Sequence, residues 1–236
     1  TAWLATGSID NYHQDMTARF TSPAPQPRRQ YAPPTGAPAP VAPQTLASNP
    51  LQVPLPDAEQ WQALLQHYGP VLAVADTQSW NTPGRVQLDD THRPVINTQQ
   101  PVSYSWPSWT HFRGQNLLQL NYQFWFSQRP KPTPDDWYGG KLDGLVWRVT
   151  LQQDGSVLFY DSIHPCGCYH SVHIPDHSQL APLTDSRATS TALEPILFFR
   201  STLPPAAAQP RLHVESATHS LAQVPPGRDT PGARQY

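Results

Sequence analysis

Residues 144–163 read GLVWRVTLQQDGSVLFYDSI, two apolar runs on either side of Asp154-Gly155. In both runs apolar side chains recur at alternate positions, which is typical of β-strands that turn one face to a core. An Asp-Gly pair between two such runs predicts a tight hairpin turn. The core face of this predicted β-hairpin consists of Leu145, Trp147, Val149 and Leu151 on the first strand and Val157, Phe159 and Ile163 on the second.

Two further segments carry clear periodicity. Leu117 to Phe126 alternates apolar and polar residues and predicts a strand with one buried face. Ala58 to Tyr68 places apolar residues at helical spacing, Asp57 offers an N-cap, and Gly69-Pro70 ends the helix. Shorter strand-like runs occupy residues 71–75, 196–202 and 211–224.

These elements predict a mostly β fold: an antiparallel, sandwich-like domain with one N-terminal helix and a Pro-rich extended arm. We expect three parts in the chain. Residues 1–56 form an N-terminal segment and the arm, residues 57–224 form the β-rich globular domain, and residues 225–236 form a tail without core positions.

The composition limits the partners of the protein. Eleven of the 29 prolines lie between Pro23 and Pro56, where they oppose regular helix and central strand and favour an extended arm or linker. Such an arm suits docking on a protein partner. Charged residues make up only 14% of the chain and the net charge is −2, so there is no broad basic field and we expect no nucleic-acid partner.

Residues 164–173, HPCGCYHSVH, contain both cysteines of the chain and three of its ten histidines. Thiolate and imidazole are the ligands that zinc and copper prefer. Pro165 and Gly167 permit the turn that would bring such ligands together, since a straight strand would spread them too far apart for one ion. We predict a zinc or copper site at the exit of the hairpin, with the metal ligands His164, Cys166, Cys168, His170 and His173.

Other interpretations of the cluster stay open. The C-x-C pair can form a disulfide or redox pair in a tight ring, or the thiols can be buried and structural. Additional ligands can come from His111, His213, Glu215 or His219, and Glu215 or Asp161 is a candidate general base beside an open metal position. His177 follows the cluster.

The functional hypothesis is a cell-envelope metal-binding protein, structural or with an open coordination position; whether it is an enzyme stays undecided. The alternative is a non-catalytic accessory subunit of a larger assembly that docks through its Pro-rich arm and termini, with the cysteine pair as a loop staple. A periplasmic or cell-envelope location suits both, because thiols there can be oxidised. The chain begins at Thr1 without methionine, as expected when an upstream portion is removed, and has no apolar run of the roughly 18–20 residues that span a bilayer.

Residues 140–151, GKLDGLVWRVTL, and 160–170, YDSIHPCGCYH, resemble stretches shared by a set of bacterial proteins. The resemblance extends over about residues 57–175. It implies a bacterial source and indicates no particular reaction or ligand.

Overall fold

The computed structural model describes residues 18, 27–35, 40–75, 78–131, 139–176, 178, 180, 196–201, 203, 209–225 and 232–236. Within these ranges the protein is mostly β, as predicted. The helix α1 spans Ala58–Tyr68. The strands are β1 (Arg28–Ala32), β2 (Val71–Ala75), β3 (Arg85–Leu88), β4 (Pro94–Asn97), β5 (Tyr104–Phe112), β6 (Gln115–Arg129), β7 (Gly140–Leu151), β8 (Val157–Ile163), β9 (Ser171–Pro175), β10 (Leu197–Ser201), β11 (Arg211–Val214), β12 (Leu221–Gln223) and β13 (Arg234–Gln235).

The larger sheet has six strands in the order β10-β9-β8-β7-β6-β5. The predicted hairpin is confirmed: β7 and β8 pair antiparallel, and Gly155 has a positive φ of 86° in the turn between them. The register shifts between Thr150 and Leu151, so an extra residue bulges from β8. The core cluster therefore takes Val157 and Tyr160 from this strand, whereas Phe159 and Ile163, which alternation had placed in the core, are only half-buried.

The second sheet has five strands in the order β12-β11-β2-β1-β13. Strand β1 pairs with β2 on one side and β13 on the other, so this part of the Pro-rich region is a sheet strand and not an arm. It can pair because the five residues Arg28–Ala32 contain no proline, although prolines flank them. Strands β3 and β4 form a separate two-stranded sheet.

The C-terminal residues also differ from the expectation of a tail without core positions. Strand β13 pairs with β1, the Tyr236 ring packs edge-on against Phe124 with a centroid distance of 5.3 Å, and its hydroxyl donates to the carbonyl of Pro70 at 2.8 Å. A single aromatic residue after a polar stretch has no periodicity. The sequence therefore contained no signal for this contact.

The sheets are mixed and not wholly antiparallel. Strand β11 runs parallel to β2, β10 parallel to β9, and β13 parallel to β1. Each of these pairs joins strands separated by a long stretch of chain, which allows the crossover that parallel pairing requires. The predicted run 211–224 is two antiparallel strands, β11 and β12, because the chain turns between Glu215 and Ser220.

Helix α1 begins as predicted. The Asp57 carboxylate accepts from the backbone N–H of Gln60 at 2.9 Å, and the Gln60 side chain accepts from the Asp57 N–H at 3.0 Å, which completes a capping box. At the other end the Tyr68 hydroxyl donates to the carbonyl of Gly155 at 2.6 Å. The helix is thereby tied to the β7–β8 turn, and burial raises the pKa of Tyr68 to about 12.

A single cluster of buried side chains includes members of both large sheets, among them Leu72 and Leu212 of the five-stranded sheet and Leu120 and Trp147 of the six-stranded one. The sandwich arrangement and the division of the chain into three parts stay predictions. Among the described residues, no helix is both long and apolar enough to cross a membrane.

Candidate functional site

The Cys loop, residues 164–170, connects β8 to β9. Two backbone hydrogen bonds close it: the His164 N–H donates to the Cys168 carbonyl at 3.0 Å, and the Gly167 N–H donates to the His164 carbonyl at 2.8 Å. Gly167 has a φ of 93°, where a side chain would strain the backbone. The turn that the sequence predicted at this glycine is therefore present and holds itself closed.

The two cysteine side chains meet on this turn. Their Sγ atoms are 2.6 Å apart, Cys166 is exposed and Cys168 is half-buried. Two thiolates on one tetrahedral zinc, each at about 2.3 Å, would lie about 3.8 Å apart. The two thiols are thus close enough to react with each other, and they lie nearer together than two thiolates on one zinc ion would.

His164 anchors the Cys loop to two other parts of the molecule. Its Nδ1 lies 3.3 Å from Oδ1 of Asp143 on β7, and its Nε2 lies 3.2 Å from the carbonyl oxygen of His219, in the turn between β11 and β12. Both ring nitrogens of His164 therefore face oxygen acceptors. The side chain is only 2% exposed, so its two nitrogens serve internal contacts.

Asp143 joins His164 to His219, whose Nδ1 lies 2.7 Å from Oδ2 of the same carboxylate. Burial by itself raises the pKa of Asp143, but hydrogen bonds and charge interactions with the two histidines outweigh it and hold that pKa well below its usual range. The three side chains form one His-Asp-His cluster in which both imidazoles are buried and the carboxylate keeps a small exposed part.

His219 is fully buried and stacks on Phe126 at 4.0 Å between ring centroids. Burial lowers its pKa and outweighs the opposing contribution of Asp143. If Nδ1 donates to Asp143, Nε2 carries a lone pair, and it has no hydrogen-bond partner among the described residues. A neutral His219 fits both observations.

The far end of the Cys loop is held by a second set of contacts. Arg129 donates to the Tyr169 hydroxyl at 2.8 Å and lies 5.2 Å from the centre of that ring. His170 Nε2 lies 3.3 Å from Oδ2 of buried Asp161, which also accepts hydrogen bonds from Arg148. The loop is therefore anchored at both ends by groups from the β6–β7–β8 part of the sheet.

His173 lies apart from the loop, in the interior of the sheet on β9. Its ring is fully buried between Trp147 and Phe199, with centroid distances of 5.7 and 5.4 Å, and its Nε2 lies 3.0 Å from the Ser171 hydroxyl. Burial lowers its pKa to about 3. Of the five predicted ligands, Cys166 and Cys168 lie together, His164 and His170 face separate carboxylates, and His173 is a core residue.

Within the described ranges, no group of three or more His, Cys, Asp or Glu side chains is arranged to hold a metal ion. His111 contacts Asn116 on another part of the sheet, and Glu215 pairs with Arg28. His213 lies on β11, where burial first and nearby arginines second lower its pKa to about 4. His177 lies outside the described residues. Zinc or copper binding by the cluster stays a prediction.

Sequence reasoning missed Asp143, Arg129 and Tyr169 as parts of the site. Only Asp143 carried a usable signal, because it stands at the start of an otherwise apolar run and a carboxylate entering a core needs partners. Its partners come from residues 21 and 76 positions further along the chain. Only tertiary structure could identify them.

Fold and site together define a β-rich protein that presents an exposed Cys-Gly-Cys turn anchored by buried His-carboxylate contacts. No protein-family model and no curated protein sequence matches the chain. Among solved structures, one described as "Toxin fold for microbial attack and plant defense" is similar over 77% of this chain and 84% of that chain, with 12% sequence identity and a TM-score of 0.32. A likeness at this level establishes neither a shared fold nor a shared activity.

Proposed function

We propose that this protein is a thiol–disulfide exchange protein whose reactive group is the Cys166–Cys168 pair. The observation that carries the proposal is the approach of the two Sγ atoms to 2.6 Å on an exposed turn. An exposed thiol is accessible to a second thiol or disulfide, and a neighbouring thiol can resolve the mixed disulfide that forms. Each cysteine therefore has a distinct role available to it.

A purely structural staple is a weaker explanation of the pair. A disulfide that closes a loop of only three residues removes little unfolded-state entropy, about 1.6 kcal/mol on the chain-entropy model. The backbone hydrogen bonds of His164, Gly167 and Cys168 already close this turn. A bond between the sulfurs would add little constraint, which favours a chemical use of the thiols.

The reaction follows from the exposures of the two cysteines. The Cys166 thiolate attacks one sulfur of a substrate disulfide, that S–S bond breaks, and the other sulfur leaves as a thiolate. The Cys168 thiolate then attacks Cys166 Sγ, which releases the second substrate thiolate and closes the Cys166–Cys168 bond. Two electrons pass from the dithiol to the substrate disulfide, the two substrate thiolates take up protons, and the reverse sequence oxidises a substrate dithiol.

The test is a redox titration of the folded chain in glutathione buffers, with N-ethylmaleimide trapping and intact-mass measurement. We expect the protein to pass between a form with two maleimide adducts and a form with none. In a Cys168→Ser variant, a glutathione adduct should accumulate on Cys166, because the resolving thiol is missing. A chain that carries two maleimides in every buffer, or one that excess dithiothreitol does not reduce under native conditions, would contradict the proposal.

The same preparations test the predicted metal site. Near-stoichiometric zinc or copper that shields the reduced thiols from maleimide, and that is lost in Cys166→Ser, would favour metal binding over exchange. The Cys166→Ser/Cys168→Ser variant is the control for metal held elsewhere. Either chemistry suits the proposed periplasmic or cell-envelope location, where thiol pairs undergo oxidation.

A further inference from the structure

A cleft of about 460 Å³ lies away from the Cys loop. Residues 40–56, which we call the Pro-rich wall, form one side of the cleft. They lie against the tips of the β5–β6 and β7–β8 hairpins. The opposite wall comprises the β5–β6 turn at Gly114 and Gln115 and the β7–β8 turn at Gln153. A cavity of this size is in the range that holds small ligands in proteins.

The walls of the cleft are held in place by hydrogen bonds between them. The Gln44 N–H donates to the Gln153 carbonyl at 2.9 Å, and the Asn116 side-chain amide donates to the Leu51 carbonyl at 2.7 Å. Leu46 of the Pro-rich wall is buried in the main core cluster. Because the cleft is already formed, a ligand that enters it orders little of the protein, which favours binding.

The lining combines polar and apolar groups and carries no Asp, Glu, Lys or Arg among the residues that the structure describes. Its titratable side chain is His111, whose Nδ1 lies 3.0 Å from Oδ1 of Asn116. Its polar groups include the amides of Gln44, Gln52 and Gln115 and the hydroxyl of Ser48, and apolar contact comes from Pro43 and other Pro and Leu side chains. Amides and hydroxyls both donate and accept hydrogen bonds, as ligand hydroxyls require. Without a lining carboxylate, ammonium or guanidinium group, the cleft has no permanently charged partner for a charged ligand.

An indole borders this cleft. On β5, Trp109 precedes the cleft residue His111 by two positions, so both side chains lie on the same face of the strand. Trp109 remains 38% exposed, and its Nε1–H donates to the carbonyl of Pro54 at 2.8 Å. The hydrogen bond holds the ring in place, and the electron-rich face of an indole attracts the C–H groups of a sugar ring.

We propose that this cleft binds a neutral oligosaccharide, with sugar hydroxyls on the glutamine amides and one sugar ring against Trp109. This class of ligand follows from a fixed cleft without carboxylate, ammonium or guanidinium groups, which combines amides with apolar surface and has an exposed indole beside it. The cleft contains no residue of the Cys loop, so sugar binding there does not depend on the thiol chemistry.

The test is a ¹H–¹⁵N NMR titration of the whole chain with maltohexaose, cellohexaose and chitohexaose at millimolar concentration. We expect at least one of them to shift the side-chain amide signals of Gln52 and Gln115 and the indole signal of Trp109. The double variant Gln52→Ala/Gln115→Ala removes two exposed amides and should weaken binding about tenfold, since a neutral hydrogen bond contributes about 0.5–1.5 kcal/mol.

Gln100→Ala, an exposed amide outside the cleft, is the matched control and should bind like the parent chain. Trp109→Ala is a second test of the indole contact, with circular dichroism to verify folding. If none of the three hexasaccharides shifts these signals, or if the double variant binds as tightly as Gln100→Ala, the proposal is wrong.

Discussion

Asp143 illustrates how one mostly buried carboxylate can organise a site from remote parts of a chain. It contacts His164, which begins the Cys loop, and His219, which lies between β11 and β12. An isolated carboxylate would be expelled from such a place, but each of its oxygens faces an imidazole nitrogen. The position of the Cys loop therefore depends on a residue outside it.

Asp143→Asn should destabilise the protein by about 1.5–3 kcal/mol, the usual contribution of hydrogen bonds to a charged group. The amide offers one acceptor oxygen where two imidazoles need acceptors, and its NH₂ group then faces one of the ring nitrogens. Urea unfolding at neutral pH measures the change. Asp90→Asn, at an exposed turn residue, is the matched control, and an equal effect of both variants would contradict the assignment.

Gly167→Ala should destabilise the Cys loop by about 1–2 kcal/mol, the cost of a left-handed conformation for a residue with a Cβ. No atom lies within 4 Å of the added Cβ, so the cost is conformational and not steric. Gly140→Ala provides the control, because its Cβ also meets open space and its φ is not positive. Amide hydrogen exchange in residues 164–170 should accelerate only in Gly167→Ala, and unchanged exchange there would be the contrary result.

At the scale of elements, the Cys loop is a connection between antiparallel strands that carries anchors at both ends. His164 fixes the first end to β7, while Tyr169 and His170 fix the second through Arg129 and Asp161. The thiols therefore lie on a short loop whose two ends are fixed to the sheet, which supports the geometry of a reactive site. Helix α1 has a comparable anchor in Tyr68, which donates to Gly155 in the β7–β8 turn.

Asp57→Ala should lower the free energy of unfolding by about 1 kcal/mol, because it removes the N-cap acceptor of α1. Asp57→Ser retains a capping oxygen and should cost much less. Thermal unfolding of the two variants separates loss of the cap from loss of the charge. An identical decrease in both would point to the charge instead.

On the scale of the whole molecule, buried histidines make the fold sensitive to acid. Burial lowers the pKa of His173 to about 3 and also lowers the pKa values of His213 and His219. In the unfolded chain these groups take up protons near pH 6.5, whereas in the folded chain they resist protonation. Their contribution to stability is complete above pH 6.5 and is lost as the pH falls towards the folded-state values. The pKa of Asp143 is also lowered in the folded chain, so its contribution to stability is likewise lost in acid, at pH values below the usual pKa of a carboxyl group.

We expect the free energy of unfolding to fall as the pH is lowered from 6.5 towards about 3, and His173 should contribute the slope of one proton taken up on unfolding. His173→Phe should remove that part of the slope, because a phenyl ring can pack against Trp147 and Phe199 and does not titrate. Ser171 would keep its contact with the Ser162 hydroxyl at 2.9 Å. Urea titrations at several pH values measure both slopes, and parallel slopes for the two proteins would contradict the assignment.

Local patterns were enough to predict the mostly β class, helix α1 with its cap, strand β6 and the β7–β8 hairpin, because these depend on residues close together in the chain. The turn at Gly167 was also a local property. The remaining features were decided by contacts between distant residues: the parallel pairing of β11 with β2, the entry of β1 and β13 into the sheet, and the burial of His173 away from the Cys loop. Sequence spacing placed five ligands in one cluster, whereas in the structure His164 and His170 contact the carboxylates Asp143 and Asp161 and His173 lies in the core. Side-chain identity limits which chemistry a residue can perform, but only the tertiary structure decides which partner it meets.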